Sequence, residues 1–250
     1  MRDGLRSAVA AVTFLTAVPI GRRTGIDARD LRGGLIVFPA VGALVGALTA
    51  TVAWGSAIVL PPFPAAALGV AAGVSVTAAM HLDGLADSAD GLGAALSGGD
   101  PPAAMHDPRL GVFGGAAIAL DLLLKVSVFS ALVAGPRFPV EAIAAGALGR
   151  AAAIALMTTL PYAGRRGSGT GRWTRDVALG PCLIGVFSAM VVGVLTVGPA
   201  FGAMAAAAVV VAAIVGRWSS RRLGGVTGDT LGAAAELTET LALTAALALR

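Results

Sequence analysis

Three aspartates stand close together in a chain that is otherwise mostly apolar. Asp83, Asp87 and Asp90 fall at positions i, i+4 and i+7 of the segment HLDGLADSADGLG. A helix turns by about 100° per residue, so this spacing places the three carboxylates within a sector of roughly 60° on one face. Like charges held so close repel one another unless they are protonated, paired with arginines or bound to a cation. We therefore expect the three carboxylates on this face to form a functional site.

A hard divalent cation is the simplest partner for such a group. The sequence contains no Asn and no Gln, so the protein ligands would be carboxylates, hydroxyls or backbone carbonyls, which suit Mg²⁺ or Mn²⁺. The acidic residues are also concentrated: 5 of the 14 lie between positions 83 and 107, which argues against an ordinary solvated face. These five are Asp83, Asp87, Asp90, Asp100 and Asp107.

A second polar segment, GGVTGDTLG at 224–232, contains Asp229 and is followed seven residues later by Glu236. This spacing predicts a second acidic site that shares a pocket with the first. The glycine-rich approach to a helix at Thr227 and Gly228 is typical of a phosphate seat, although no Walker lysine follows. The alternative is that Thr227 or Asp229 caps the last helix and that Glu239 is a solvated end residue.

Gly84 and Gly91 repeat at the same seven-residue spacing, about 100° around the helix from the aspartates. They leave a strip of backbone without side chains. Either a phosphate or another helix approaches the backbone there.

Composition defines the surroundings of these residues. Hydrophobic residues make up 56% of 250 positions, charged residues 13%, and mean hydropathy is +0.85, which indicates an integral membrane protein. We predict an all-α polytopic bundle that forms a single domain over 1–250. A span needs about 20 apolar residues to cross the roughly 30 Å hydrocarbon layer. Six segments qualify: 35–60, 65–82, 110–134, 140–160, 177–197 and 199–215.

Both ends of the chain are less regular. Residues 231–249 contain two glutamates and either cross the membrane as a seventh span or lie at its surface; we expect them to cross. Residues 1–32 are interpreted as an N-terminal interfacial or re-entrant segment, because no convincing cleavage site follows the apolar stretch 7–20. The single cysteine, Cys182, lies in an apolar run and is expected to pack rather than to react.

Three charged residues fall inside the predicted spans. Asp121 and Lys125 stand at i and i+4, and Arg150 lies on the next span. Charges at that depth are costly and are usually paired or functional. Either Asp121 and Lys125 neutralise each other, or Lys125 points towards the cytoplasmic cavity and meets an anionic substrate. His81 and His106 are expected to be hydrogen-bonding neighbours of the acidic cluster rather than ligands.

Arginine placement predicts the orientation. With six spans, the arginine-containing connections alternate onto one face, which is then cytoplasmic, and the acidic segment lies with them. The arginines concerned are Arg22, Arg23, Arg29, Arg32, Arg109, Arg165, Arg166, Arg172, Arg175, Arg217, Arg221 and Arg222. Their short clusters do not form the basic stripe of a nucleic-acid-binding surface. We therefore predict a multi-pass protein of the cell (inner) membrane with a cytoplasmic site.

Several motifs together resemble cobalamin synthase, the adenosylcobinamide-GDP ribazoletransferase family, in the family's order and over essentially the whole chain. The specific pieces are DGLADSADG at 83–91 and TGDTLGA at 227–233. The others are FLTAVP at 14–19, DPRLGVFG at 107–114 and LPYA at 160–163.

This resemblance implies a Mg²⁺-dependent transferase that joins adenosylcobinamide-GDP to α-ribazole or its 5′-phosphate and releases GMP. We expect Asp83, Asp87 and Asp90 to hold the metal, with Asp107 or Asp229 completing its shell, and Asp90 as first choice of base. Arg109 and Lys125 are candidates to hold phosphate oxygens, and Glu236 to close the far side of the pocket.

Two other functions remain open from sequence alone. A lipid synthase resembling the CDP-alcohol phosphotransferases is one, although Ser88 and Ala89 follow Asp87 where that family has Ala-Arg. A cation-coupled transporter is the other, since carboxylates and glycine-broken helices also mark ion pathways. The sequence leaves a homo-oligomer open.

Overall fold

The computed structural model describes residues 2–21, 25–164 and 179–250. These residues form eleven α-helices, and no strand is found among them. The helices are α1 (Arg2–Leu15), α2 (Ala28–Gly34), α3 (Phe38–Ser56), α4 (Pro62–Val76), α5 (Met80–Leu96), α6 (Pro101–Met105), α7 (Val112–Leu132), α8 (Phe138–Thr159), α9 (Leu179–Val197), α10 (Ala200–Leu223) and α11 (Gly228–Leu247). The arginines predicted to mark topology at positions 22, 23, 165, 166, 172 and 175 lie outside the described residues.

The predicted all-helical membrane bundle is confirmed. By length and composition, five stretches of the described chain are apolar enough to cross a membrane, or six when α4 and α5 count as one bent span. The five are Ala28–Ser56, Val112–Leu132, Phe138–Thr159, Leu179–Val197 and Ala200–Leu223. Only 28%, 28% and 33% of the apolar windows of α7, α9 and α10 are buried, as expected of helices that face lipid, whereas 78% of that of α8 is buried in the core.

The predicted span 65–82 is wrong as a single straight helix. Helix α4 ends at Val76, and α5 leaves at 88° to it. Ala78 and Ala79 make this corner in the left-handed region, with φ of 50° and 57°. Each such residue costs roughly 1–2 kcal/mol in an L-amino acid, so the surrounding packing must hold the corner in place. The corner moves the aspartates off the axis of α4.

Helix α10 is longer than predicted and runs to Leu223. Arg217, Arg221 and Arg222 therefore lie on its final turns rather than in a loop. The helix ends at Gly224, whose φ of +78° suits a glycine. The residues after Gly224 contact the segment that follows α8. Val226 N donates to Pro161 O at 2.8 Å, and Ala163 N donates to Val226 O at 2.8 Å.

Helix α11 lies in the middle of the bundle. It packs against α5, α7, α8 and α10, and most of its residues from Thr230 to Ala246 are buried. The alternative of a helix on the membrane surface is therefore wrong. At the other end of the chain, α1 packs on α2, where Arg6 Nη2 lies 2.9 Å from Asp30 Oδ2.

Candidate functional site

Helix α5 carries the predicted acidic face. Asp83 is exposed, and Asp87 and Asp90 are half-buried. The negative charges of Asp229, Asp83 and Asp90 all act unfavourably on Asp87. The structure therefore brings the 83–90 segment and the start of α11 together, as the sequence predicted.

Close packing of two backbones produces this meeting. A Cβ on Gly84 would lie 2.6 Å from the backbone oxygen of Asp229. Only glycine permits that approach. Of the two predicted uses of Gly84, contact with another helix is therefore the one observed. Gly91 likewise packs against the side chains of Met105 and Trp218, so neither glycine faces a cavity that could hold phosphate.

Two cavities lie on either side of Asp83. An open cavity of about 610 Å³ is lined by Asp83, Asp87, His106, Asp107 and Arg109 together with several apolar side chains. A second cavity, of about 280 Å³, lies among α1, α3, α5, α8 and α11, and has a mostly apolar wall. Its polar lining comes from His81, Asp83, Arg150 and Asp229. Asp83 thus borders both spaces.

The loop between α6 and α7 holds an ion pair at the open cavity. Arg109 Nη2 lies 2.7 Å from Asp107 Oδ2, and Arg109 Nε donates to Asp107 Oδ1 at 2.9 Å. These hydrogen bonds lower the pKa of Asp107 to about 2. Asp107 is therefore charged and already paired, which does not favour it as a metal ligand, while the exposed Arg109 borders the space beside Asp83 and Asp87.

Asp90 has a structural partner. Its Oδ2 accepts from Gly111 N and its Oδ1 from Gly114 N, each at 2.8 Å. These N–H groups belong to the start of α7, where no intrahelical carbonyl can reach them. The carboxylate of Asp90 thus caps a neighbouring helix. Its two hydrogen bonds also connect the segment 83–91 to the segment 107–114.

Thr227 caps α11, as one of the sequence alternatives proposed. Its Oγ1 accepts from Thr230 N at 3.2 Å, and Thr230 Oγ1 accepts from Thr227 N at 2.9 Å. Gly228 and Asp229, in the first turn of α11, border the apolar cavity. The role of this helix start as a phosphate seat stays a prediction.

The charges predicted inside the spans form one buried cluster. Lys125 forms ion pairs with Glu236 and, at 3.6 Å, with Asp121. Asp121 also accepts from Thr240 Oγ1 at 2.7 Å. The internal Asp121–Lys125 pair is thus confirmed, but it is part of a larger network. Lys125 and Glu236 line a small interior cavity of about 40 Å³ and neither of the cavities that Asp83 borders, which does not favour them as substrate ligands.

Arg150 connects this cluster to the apolar cavity. It is 2% exposed, forms an ion pair with Glu239, and lines both the interior cavity and the apolar one, as His81 does. The expectation that Glu239 is a solvated end residue is wrong, because it compensates this buried charge. From sequence, Arg150 had no assigned role, since nothing in its own helix marks its partner.

No three His, Cys, Asp or Glu side chains within the described ranges are placed to hold a metal ion by themselves. Asp83 and Asp87 nevertheless have no hydrogen bond or ion pair with any described side chain, although they repel each other. Such carboxylates fit Mg²⁺, which is usually bound through one or two carboxylates together with substrate phosphates and water.

The fold and the site together define a polytopic helical membrane protein with an acidic site between two cavities. The sequence profile of the cobalamin-5-phosphate synthase family matches residues 7–247. The chain is similar to adenosylcobinamide-GDP ribazoletransferases of several bacteria. Identity is 35% to that of Ralstonia pickettii, over 99% of this chain and 97% of the relative. It is 38% to that of Klebsiella pneumoniae strain 342, over 97% of this chain and 100% of the relative.

The relative from Escherichia coli K12 is also 38% identical, over 95% of this chain and 98% of its own length. No solved structure matches the fold. The chain belongs to the cobalamin-5-phosphate synthase family.

Proposed function

We propose that this protein is an adenosylcobinamide-GDP ribazoletransferase. It transfers the cobinamide-phosphate moiety of adenosylcobinamide-GDP to α-ribazole or α-ribazole 5′-phosphate and releases GMP, a late step of cobalamin biosynthesis. The observation that carries this function is the likeness, over nearly the full length of both chains, to relatives bearing that name. The acidic site between two cavities suits a reaction between two substrates.

The transfer breaks one bond and forms one bond. The ribose hydroxyl oxygen of the acceptor attacks the phosphorus that bears cobinamide, the P–O bond to the GMP phosphate breaks, and GMP leaves with the electron pair. The proton of the hydroxyl passes to a carboxylate. The sequence favours Asp90 as this base, but in the structure both of its oxygens accept backbone N–H groups. Asp229 is now the better candidate, because it borders the apolar cavity together with Asp83.

We also propose that Mg²⁺ is the cofactor of this transfer. Asp83 and Asp87 would hold it at the open cavity, and Arg109 would contact phosphate oxygens there. When bound, the metal neutralises negative charge on the diphosphate. Positioning and charge neutralisation account for most of the catalysis in phosphoryl transfer. The remaining proposals are an inner-membrane location with the acidic site facing the cytoplasm, contact with the lipid bilayer, and homo-oligomerisation.

Purified protein in detergent or liposomes, supplied with adenosylcobinamide-GDP, α-ribazole and Mg²⁺, should produce GMP and a new corrinoid. Asp87→Asn should lower turnover by about 100-fold or more, because one charged group at the reacting phosphate is lost. It should also raise the Mg²⁺ concentration needed for half-maximal rate. Asp100→Asn is the matched control, since Asp100 is exposed and makes no side-chain cap.

Three results would each contradict a different part of the proposal. Full turnover of Asp83→Asn and Asp87→Asn at limiting Mg²⁺ would remove the metal assignment alone. Absence of GMP from the unaltered protein, together with activity on CDP-diacylglycerol, would replace the function with lipid synthesis. Solute accumulation in vesicles without a nucleotide substrate would instead support transport.

A further inference from the structure

The apolar cavity beside Asp83 is built from parts of the chain that are far apart in sequence. Phe14 and Leu15 come from α1, Phe38 from the start of α3, Met157 from α8 and Leu231 from α11. The rings of Phe14 and Phe38 stack at 5.9 Å with an interplanar angle of 19°. Three of the segments that carry the family resemblance, 14–19, 83–91 and 227–233, therefore meet at this space.

The size and lining of this cavity select the kind of molecule that it can hold. Its volume of about 280 Å³ is close to the lower end of the roughly 300–1,000 Å³ typical of small-molecule sites. A corrinoid that carries a nucleotide diphosphate is much too large for it. Burying a diphosphate against an apolar wall would also be costly, whereas a planar aromatic base gains from leaving water.

The polar groups of the cavity suit a ribose. Asp83 and Asp229 supply carboxylate oxygens that can accept hydrogen bonds from hydroxyl groups, and the buried His81 and Arg150 complete the polar part of the wall. The open cavity on the other side of Asp83 is larger, and polar groups, Arg109 among them, make up a greater share of its lining. The smaller, mostly apolar cavity therefore matches the small aromatic acceptor, and the larger cavity with more polar groups matches the nucleotide-activated diphosphate.

We propose that the apolar cavity is the binding site of the acceptor: it encloses the benzimidazole base and the ribose of α-ribazole, with the ribose hydroxyl beside Asp83 and Asp229. The activated corrinoid diphosphate occupies the open cavity. This assignment rests on the proposed function and adds which substrate enters which space. It applies to the base and ribose, which α-ribazole and its 5′-phosphate share.

The test fills the cavity without touching a charged group. Ala153 lies on α8, is half-buried and lines the cavity. Ala153→Leu should raise KM for α-ribazole by about tenfold or more, the effect of one misfitting group in an apolar pocket. KM for adenosylcobinamide-GDP should stay within about twofold. Ala155→Leu is the matched control, because Ala155 is on the same helix with the same partial exposure and is not among the residues lining this cavity.

A binding measurement separates this proposal from the activity. Calorimetric titration of α-ribazole into the detergent-solubilised protein, without corrinoid, should show binding that Ala153→Leu weakens and Ala155→Leu preserves. Ala153→Val adds less bulk and should give an intermediate loss, which keeps the test decisive if the leucine variant does not fold. Unchanged α-ribazole binding in a folded Ala153→Leu protein, or a rise confined to KM for adenosylcobinamide-GDP, would overturn the assignment. Cavity-dependent α-ribazole binding without GMP release would overturn the proposed function and leave the site standing.

Discussion

Asp90 and Asp87 are separated by about one helical turn, yet their surroundings differ, and so do their roles. Asp90 accepts two backbone N–H groups from the start of α7, whereas three neighbouring carboxylates act unfavourably on Asp87 and no described side chain forms a hydrogen bond or an ion pair with it. The periodicity of the segment shows that they share a face but not which neighbour each one meets. A carboxylate that caps a helix stabilises it, while an unpaired one is available to a cation or substrate.

Asp90→Ala should destabilise the protein by about 1–2 kcal/mol, the usual loss when a helix cap is removed. Asp90→Asn should lose less, because one amide oxygen still accepts a hydrogen bond. Thermal or denaturant unfolding in detergent measures both. Asp100→Ala, at the start of α6 without a side-chain cap, should leave stability unchanged; an equal loss there would show that the capping contacts of Asp90 are not what stabilises α7.

For the charged residues buried in the bundle, too, the local sequence does not reveal which neighbours they meet. Lys125 and Arg150 would be prohibitively costly alone in an apolar core, but Glu236 and Glu239 on α11 compensate them. The i, i+4 spacing of Asp121 and Lys125 predicted the ion pair within α7, but not the pairs with α11. The partners on α11 lie more than 85 residues away along the chain, so no local pattern connects them.

Lys125→Met should destabilise the protein by roughly 3–5 kcal/mol, because it leaves Glu236 buried without its partner. The double variant Lys125→Met/Glu236→Gln should lose clearly less than the sum of the two single variants. A double-mutant cycle, based on unfolding in detergent, measures the interaction energy between the two side chains. For residues in contact this energy is about 0.5–3 kcal/mol. Strict additivity would mean that the two side chains do not interact in the folded protein.

At the scale of helices, backbone contact decides the position of the acidic site. Helix α11 approaches α5 at Gly84 so closely that the Asp229 backbone occupies the space of a side chain. The same kind of contact joins α3 and α8, where Gly42 faces the backbone of Gly146. Small residues allow helices to pack closely in a membrane protein, where apolar lipid supplies little other driving force.

Gly84→Ala should cost about 1–3 kcal/mol, as overpacking of a tight contact does, and should lower turnover because it displaces Asp229. Gly55→Ala is the control: its added methyl group meets nothing within 4 Å, so stability should be unchanged or slightly higher, since alanine favours a helix. Unfolding in detergent and GMP release measure the two effects. Normal stability and turnover of Gly84→Ala would show that this contact does not hold the site together.

For the molecule as a whole, the arrangement predicts that the acidic site and the link between α3 and α4 lie on opposite sides of the membrane. Helix α4 has 15 residues, which span about 22 Å, and it runs from the α3–α4 link to the corner that leads to Asp83. From the arginine distribution we predict that the acidic side is the cytoplasmic one.

Single-cysteine labelling tests this orientation. In a Cys182→Ser background, which removes the one native and buried cysteine, Phe63→Cys should react with a membrane-impermeant maleimide in spheroplasts. Arg109→Cys should react only in inverted vesicles. Both positions are exposed, so the difference reports the side of the membrane. The reverse pattern would place the site outside the cytoplasm.

Local pattern and composition were sufficient for the helical membrane class, for most of the spans, and for the acidic segments around Asp83 and Asp229. These features depend on hydropathy and on the 3.6-residue repeat, which any short window of the chain displays. The motifs likewise identify the family from the sequence alone.

The corner at Ala78 and Ala79, the capping role of Asp90, and the pairing of Lys125 and Arg150 with α11 came only from the assembled bundle. So did the apolar cavity, because Phe14, Phe38, Met157 and Leu231 look like any other apolar residues of a membrane helix until four helices bring them together. Each of these features joins residues that are distant along the chain. Their energies depend on burial and on contact between helices, and neither property belongs to a short stretch of sequence.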